Sequence, residues 1–213
     1  MGLAITVRGP EWFFGLDSLL EGFACLAMIL VTLFSFKAYR FTKDKRYRTF
    51  AIGFGLMAFG TLLRAVTDLF VFLDVEIKPV WLIAGYGVYM AAILTSLVIL
   101  FALTLKTHQR APFVALLLVS LVLVALSASY RLSFHAISVI LLAFIAYHFI
   151  KNYFEKKSLS ALLVCGSFVL LTLTHAAFIV DIVRQKFYIV GHLLHVAAFA
   201  LLIVALIKVL RNK

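Results

Sequence analysis

Long apolar runs alternate along the chain with short clusters of Lys and Arg, and this alternation constrains the fold strongly. A helix needs about 20 mostly apolar residues to cross the hydrocarbon core of a bilayer. Each apolar run is of that order, so the sequence predicts an all-α membrane protein with seven transmembrane helices. The predicted spans are Leu16 to Tyr39, Thr49 to Phe72, Val80 to Leu105, Phe113 to Ser129, Leu132 to Ile150, Leu159 to Ile182 and Tyr188 to Val209.

The basic clusters follow spans one, three, five and seven. They lie at Lys37 to Arg48, Lys106 to Arg110, Lys151 to Lys157 and Lys208 to Lys213. The other connections carry fewer cations. Because Lys and Arg accumulate in cytoplasmic loops, we expect the N-terminus outside, the C-terminus inside and a multi-pass location in the cell membrane.

Composition agrees with this class. The chain has 213 residues, of which 65% are hydrophobic, more than a soluble domain of this size reaches. We therefore expect one polytopic domain over residues 1–213. The net charge of +11 comes mostly from loops on one side, which predicts contact with anionic lipid headgroups rather than with nucleic acid. A second copy or another membrane subunit stays open as a partner.

Some motifs recur along the chain. Gly85 to Ala92 in span three parallels Gly191 to Ala198 in span seven, and Ala38-Tyr39 parallels Ala146-Tyr147. A matching pattern in spans two and six aligns Arg64 with His175. These matches predict a 3+1+3 arrangement of two parallel repeats, residues 14–106 and 130–213, with helix four (111–129) as the linker. An odd linker gives both repeats the same orientation in the membrane.

The three-one-three layout resembles that of SWEET sugar carriers, the KDEL receptor and microbial rhodopsins. The likeness is one of layout only. The sequence has no Pro-Gln pair of the PQ-loop type, and Lys208 lies at the cytoplasmic end of helix seven, where it cannot hold retinal.

Polar side chains concentrate near the predicted outer ends of six helices. Ionisable groups within membrane segments are costly and are candidates for functional sites. A rise of about 1.5 Å per residue places these groups roughly 5–13 Å inside the outer boundary, which predicts a polar cavity that opens outward. The set is Glu21, Arg64, Asp68, Tyr86, Tyr89, His135, His175, His192 and His195.

The histidines form the candidate metal site. His192 and His195 are three residues apart on one helix face, and His175 lies at a similar depth on the preceding helix. With Glu21 or Asp68 nearby and His135 as a further donor, they could ligate zinc, or two imidazoles could clamp a haem iron. The alternative is that each ring hydrogen-bonds to a neighbouring helix.

The charged residues form a second pattern. Arg64 and Asp68 are four residues apart and are expected to form an internal ion pair, although Arg64 could instead hold an anionic ligand. Glu21 has no cation near it in the sequence, so it must be protonated, paired through space or bound to a cation. Asp181 and Arg184 are expected to form a solvated surface pair.

Four functions fit these features. The leading hypothesis is a membrane protein whose outward-opening polar site binds a metal ion, haem or a small polar ligand, with Tyr86 and Tyr89 among the ligand-binding residues. The alternatives are a small-solute or ion transporter, a membrane-embedded metal hydrolase, and a structural or assembly subunit. The sequence contains no nucleophile elbow and no Gly-rich phosphate loop, so it does not decide whether the chain is an enzyme.

Overall fold

The computed structural model describes residues 10–13, 15–73, 79–105, 111–127 and 129–211, and all of its regular elements are helical. A short 3-10 helix at Glu11–Phe13 precedes seven α-helices. The prediction of an all-α fold with seven helices is confirmed. The helices are α1 (Leu16–Thr42), α2 (Lys45–Phe72), α3 (Pro79–Leu105), α4 (Ala111–Leu126), α5 (Tyr130–Lys156), α6 (Leu159–Val180) and α7 (Lys186–Arg211).

Six of these helices are long and apolar enough to cross a membrane, and large apolar side chains cover much of their outer surface. The chain is a multi-pass membrane protein. Helix α4 is shorter than predicted. Its 16 residues end at Leu126, and at 1.5 Å per residue they cover only about 24 Å. Its passage across the membrane therefore remains a prediction.

The helices form a ring. Helix α1 packs against α2, α2 against α3, α5 against α6 and α6 against α7. Contacts of α1 with α7 and of α3 with α5 close the ring, and α4 packs outside it against α3 and α5. The contacts in the two halves follow the same order. The contacts α1–α2, α2–α3 and α1–α7 match the contacts α5–α6, α6–α7 and α5–α3.

Contacts between side chains fix the direction of the helices. Residues near the starts of α1, α3, α5 and α7 meet residues near the ends of α2 and α6. Examples are the contacts of Glu21 with Arg64, of Tyr86 with Asp68 and of His135 with His175. The starts of α1 and α7 also meet, through Asp17 and Tyr188. The two three-helix halves therefore run in the same direction. We call the end of the bundle where these residues meet the polar end.

Two turns at the opposite end have the same geometry. Helix α1 ends at Lys43 in the left-handed conformation, with its N–H bonded to the carbonyl of Tyr39. Helix α5 ends at Lys157 in the same way, bonded to Tyr153. The next residues, Asp44 and Ser158, cap α2 and α6. These pairs are 114 positions apart (157 minus 43), a register that pairs Tyr39 with Tyr153 rather than with Tyr147.

The same shift of 114 positions relates buried positions. Glu21 (1% exposed) corresponds to His135 (4%), and Phe54 (0%) corresponds to Phe168 (0%). The rings of Phe54 and Phe168 contact each other with centroids 6.5 Å apart. Further buried pairs in this register are Ala24 with Ser138, Met28 with Leu142 and Val31 with Ile145.

Candidate functional site

Arg64 is the centre of the polar end. Its Nε lies 2.9 Å from Oε1 of Glu21 on α1 and 3.4 Å from Oδ2 of Asp68, one turn away on α2. Its Nη1 donates a hydrogen bond of 3.2 Å to the hydroxyl of Tyr89 on α3. The predicted pair of Arg64 and Asp68 is confirmed, and Glu21 is the closer partner. The cation that Glu21 requires thus comes from another helix, which spacing along one helix could not reveal.

Aromatic rings complete the surroundings of this guanidinium. It lies over the ring of Tyr89 at 5.2 Å and over the ring of Phe178 at 5.8 Å. Tyr86 donates a short hydrogen bond to Oδ1 of Asp68. Two carboxylates, one hydroxyl and two ring faces therefore already surround Arg64. Because two carboxyl groups already lie beside its charge, Arg64 is a poorer site for an anionic ligand than a free guanidinium would be.

Asp17 forms a second buried carboxylate on the same face of α1. Its Oδ1 accepts hydrogen bonds from the backbone N–H of Gly15 (3.0 Å) and of Ser18 (2.8 Å). Its Oδ2 accepts a bond of 2.8 Å from the hydroxyl of Tyr188 on α7. Asp17 thus fastens the start of α1 to α7. The sequence placed Tyr188 only at the start of span seven, so this role was missed.

An aromatic cluster encloses Glu21 at the polar end. Phe13, Phe178 and Tyr188 pack around the imidazole of His192, with ring centroids 5.8, 5.2 and 4.6 Å from it. The Nδ1 of His192 lies 3.9 Å from Oε1 of Glu21. Glu21 and His192 are each 1% exposed. The predicted outward opening is therefore absent from the described part of the chain, because these rings close it.

Several buried polar atoms at this place have no hydrogen-bond partner among the described residues. They are Oε2 of Glu21, Oδ2 of Asp68, Oγ of Ser18 and both ring nitrogens of His192. Native proteins satisfy most buried polar atoms, so such a concentration calls for an explanation. A bound molecule or an ordered water is the usual one.

His135 and His175 pair with each other instead of joining the other histidines. Their Nδ1 atoms are 3.0 Å apart between α5 and α6. The rings of Phe134 and Phe178 pack against this pair. This contact belongs to the second half of the bundle, as the contact of Glu21 with Arg64 belongs to the first.

The predicted zinc site from His175, His192 and His195 does not form. No group of three His, Cys, Asp or Glu residues within the described ranges could hold a metal ion. The reason is that each ring has separate surroundings: His175 pairs with His135, His192 lies among aromatic rings near Glu21, and His195 packs on Phe199. The separation of 3.0 Å between the two paired rings also leaves no room for a haem iron.

An apolar cleft of about 470 Å³ lies beside the polar cluster, on the outer face of α2 and α3. Trp81, Leu63 and Phe70 are among its walls. At its base the two helices approach closely, since a Cβ on Gly85 would come within 2.6 Å of Oγ1 of Thr67.

A further buried ion pair was not expected from the sequence. Asp181, at the end of α6, lies 2.6 Å from Arg131 of α5. Its side chain is 0% exposed, so the prediction that Asp181 lies in solvent is wrong. Arg131 follows a turn, and its cation was not linked to Asp181 because fifty positions separate them.

The loop at the opposite end holds a solvated pair. Asp44 accepts the N–H of Arg46 at 2.9 Å as the cap of α2, and its carboxylate lies 2.6 Å from the guanidinium of Arg46. The side-chain hydrogen bond from Arg46 is the main reason that the pKa of Asp44 lies below its usual value. This pair stabilises the turn between α1 and α2, at the opposite end of the bundle from the candidate site.

Comparisons with known proteins add one match. The model of a family of unknown function, DUF7521, matches residues 19–103, which run from α1 to α3 and include Glu21, Arg64, Asp68, Tyr86 and Tyr89. No curated protein and no solved structure matches the chain. The chain is thus similar, over its first three-helix half, to the proteins that this family model describes.

Proposed function

We propose that this membrane protein binds a small polar molecule that donates hydrogen bonds, such as ammonium or a primary amine, between Glu21 and His192. The observation that carries the proposal is the set of buried atoms around Glu21 that have no hydrogen-bond partner among the described residues. Oε2 of Glu21 and Oδ2 of Asp68 are acceptors. One nitrogen of a neutral His192 ring is also an acceptor.

The charge of the cluster supports a cationic or hydrogen-bond-donating ligand. Glu21 and Asp68 share one guanidinium, so two carboxyl groups lie beside a single cation. Arg64 is already surrounded, which disfavours the anionic ligand that the sequence left open. A donor placed at Oε2 of Glu21 would satisfy an atom that is otherwise costly to bury.

Thermal unfolding of the purified protein in detergent tests this proposal. Methylammonium chloride should raise the melting temperature. A ligand at 100 times its dissociation constant raises the free energy of unfolding by about 2.7 kcal/mol when it binds only the folded state. Tetramethylammonium chloride is the matched control, since it carries the same charge without N–H donors. Glu21→Gln should abolish the shift, and Asp44→Asn, which changes a solvated carboxylate at the other end, should keep it.

Two results would overturn the proposal. One is an equal shift with tetramethylammonium, which would indicate a general salt effect. The other is the absence of any shift specific to methylammonium, or its persistence in Glu21→Gln. Phe13→Ala provides a further check, because opening the aromatic cluster should speed ligand entry while leaving Glu21 in place.

A solute carrier is the second candidate, favoured by the matching order of helix contacts in the two halves. Parallel halves of this kind move against each other in some transporters. Uptake of radiolabelled methylammonium into proteoliposomes, lost in Glu21→Gln, would support the carrier. Binding without uptake would favour a receptor or sensor. The metal hydrolase gains no support from the described residues, which hold no three-ligand metal group. A structural subunit predicts that Glu21 can be replaced freely.

The orientation in the membrane is part of this proposal. We infer that the polar end faces outward and that the turn at Lys43 lies in the cytoplasm, next to anionic headgroups. Cysteine labelling of intact cells at Trp12 should succeed, and labelling at Lys43 should require permeabilisation. The reverse pattern would invert the assignment. Most of the predicted outer loop Asp74 to Pro79 lies outside the described residues.

A further inference from the structure

Two buried carboxyl groups at the polar end face one guanidinium among the described residues. The side chains of Glu21, Asp68 and Arg64 are 2%, 11% and 14% exposed. If both carboxyl groups were ionised, this cluster would bury a net negative charge, which is costly inside a membrane bundle. A single proton held by the two carboxyl groups removes that cost, because one carboxylate then balances one guanidinium.

A third carboxyl group close by, that of Asp17, has partners of its own. It accepts hydrogen bonds from the backbone N–H groups of Gly15 and Ser18 and from the hydroxyl of Tyr188. Three donors at the start of a helix stabilise an ionised carboxylate. The proton that balances the cluster therefore belongs to Glu21 and Asp68 rather than to Asp17.

Other titratable groups face this cluster from α3, α6 and α7. The described ones are Tyr86, Tyr89, His175, Tyr188, His192 and His195. The Nδ1 of His192 lies 3.9 Å from Oε1 of Glu21, which is too long for a hydrogen bond. An imidazolium there would be a buried cation close to Arg64, with no acceptor in the described part of the chain. A carboxyl group is therefore the better carrier of the proton.

We propose that Glu21 and Asp68 together hold one proton before the amine binds, and that the amine enters in exchange for this proton. This inference rests on the ligand proposed at Glu21. The O–H bond of the protonated carboxyl group breaks, and its proton passes to water. The ammonium group, which is charged at neutral pH as that of Lys is, then donates an N–H to Oε2 of Glu21. One monovalent cation replaces another, so the charge of the buried cluster stays constant and binding is coupled to pH.

Proton release on methylammonium binding tests the exchange. The full chain in weakly buffered detergent solution is titrated with methylammonium chloride, and a pH-indicator dye counts the protons while the thermal shift reports occupancy. The expected result is about one proton released per methylammonium bound. The affinity should rise about tenfold per pH unit over the range in which the proton is released, because the ligand competes with that proton. Tetramethylammonium chloride, the control without N–H donors, should release none.

Asp68→Asn separates the exchange from binding itself. It leaves Glu21 beside Arg64 without a second carboxyl group, so charge balance no longer requires a proton. Methylammonium should still raise the melting temperature, although less than in the parent, without proton release and without the rise in affinity with pH. Asp44→Asn is the matched control and should release protons as the parent does.

The outcomes distinguish this exchange from the ligand site on which it rests. Methylammonium binding to the parent protein without proton release would overturn the exchange and leave the ligand site at Glu21 in place. Proton release that persists in Asp68→Asn would also overturn it, because the pair would then not be the source. Absence of methylammonium binding to the parent would overturn both proposals.

Discussion

The two halves of the bundle place different chemistry at corresponding positions. In the first half, Glu21 contacts a guanidinium that is shared with Asp68. In the second half, the corresponding position holds His135, which needs one imidazole partner. Burying ionised groups requires several partners at once, whereas a neutral pair is satisfied by a single hydrogen bond. The charged half is therefore the more costly to disturb.

Despite this difference, the two halves align with a single shift in residue number. Corresponding turns end in left-handed Lys43 and Lys157, and the same shift relates Phe54 to Phe168. We propose that α1–α3 and α5–α7 are copies of one three-helix unit, with α4 joining them. An experimental structure in which the halves superpose with Glu21 on His135 would support this. Superposition in another register would contradict it.

The largest expected effect is the loss of the shared cation. Arg64→Met leaves Glu21 and Asp68 buried beside each other and should destabilise the protein by roughly 3–5 kcal/mol. Adding Glu21→Gln and Asp68→Asn should restore much of that loss, because the uncompensated charges are gone. Unfolding by denaturant in detergent measures both changes. A triple variant no more stable than Arg64→Met would mean that charge is not what binds these residues together.

The neutral half should respond less. His135→Phe leaves a buried nitrogen of His175 without its partner, which costs about 1–3 kcal/mol. Replacing both histidines by Phe removes the unpaired atom and should be milder than the single change. The same unfolding assay compares His135→Phe, His175→Phe and the double variant with the parent protein. A double variant whose loss equals the sum of both single losses would show that the rings do not interact.

His192→Phe should separate stability from binding. The ring of His192 packs among aromatic side chains, and its nitrogens have no hydrogen-bond partner among the described residues. A replacement of similar shape should therefore change the unfolding free energy by less than about 1.5 kcal/mol. The methylammonium shift should nevertheless weaken. A large loss of stability would instead indicate that His192 makes a stabilising polar contact that Phe cannot replace.

The corresponding turns should show the smallest effects. Ser158→Ala removes the cap of α6, whose hydroxyl accepts the N–H of Ala161, and should cost about 1 kcal/mol. Asp44→Ala should destabilise α2 in the same direction. Because folding lowers the pKa of Asp44, its contribution is present above pH of about 4 and is lost as the pH falls through the lowered value. Unfolding of both variants at a series of pH values below 7 checks this, and an Asp44→Ala effect that does not shrink as the pH falls would contradict it.

The sequence predicted the helices well, because their boundaries follow from apolar runs and charged loops. It also predicted the contact of Arg64 with Asp68, which lie one turn apart on the same helix. It could not identify the partner of Glu21, since Arg64 is 43 positions away (64 minus 21) and only helix packing brings them together. The histidines show the same limit: depth along a helix was estimated, but not the direction in which each ring points. His175 therefore pairs with His135 rather than with His195.

The sequence also indicated part of the repeat that we propose. Sequence motifs matched Gly85 with Gly191, and in the structure each glycine lies close to the helix that precedes its own. The register of α1 against α5 was not visible, because apolar helices align in many ways. The left-handed turns at Lys43 and Lys157 indicate that register. Their positive φ angles could not be predicted from the sequence, because Lys rarely adopts this conformation.

The central claim is that Glu21 is the group that receives the ligand. Infrared difference spectroscopy on methylammonium addition observes carboxyl groups directly. The account predicts that a carboxyl band changes on binding, and that this change is absent in Glu21→Gln and present in Asp44→Asn. Saturating methylammonium that leaves every carboxyl band unchanged, or a change that remains in Glu21→Gln, would contradict it.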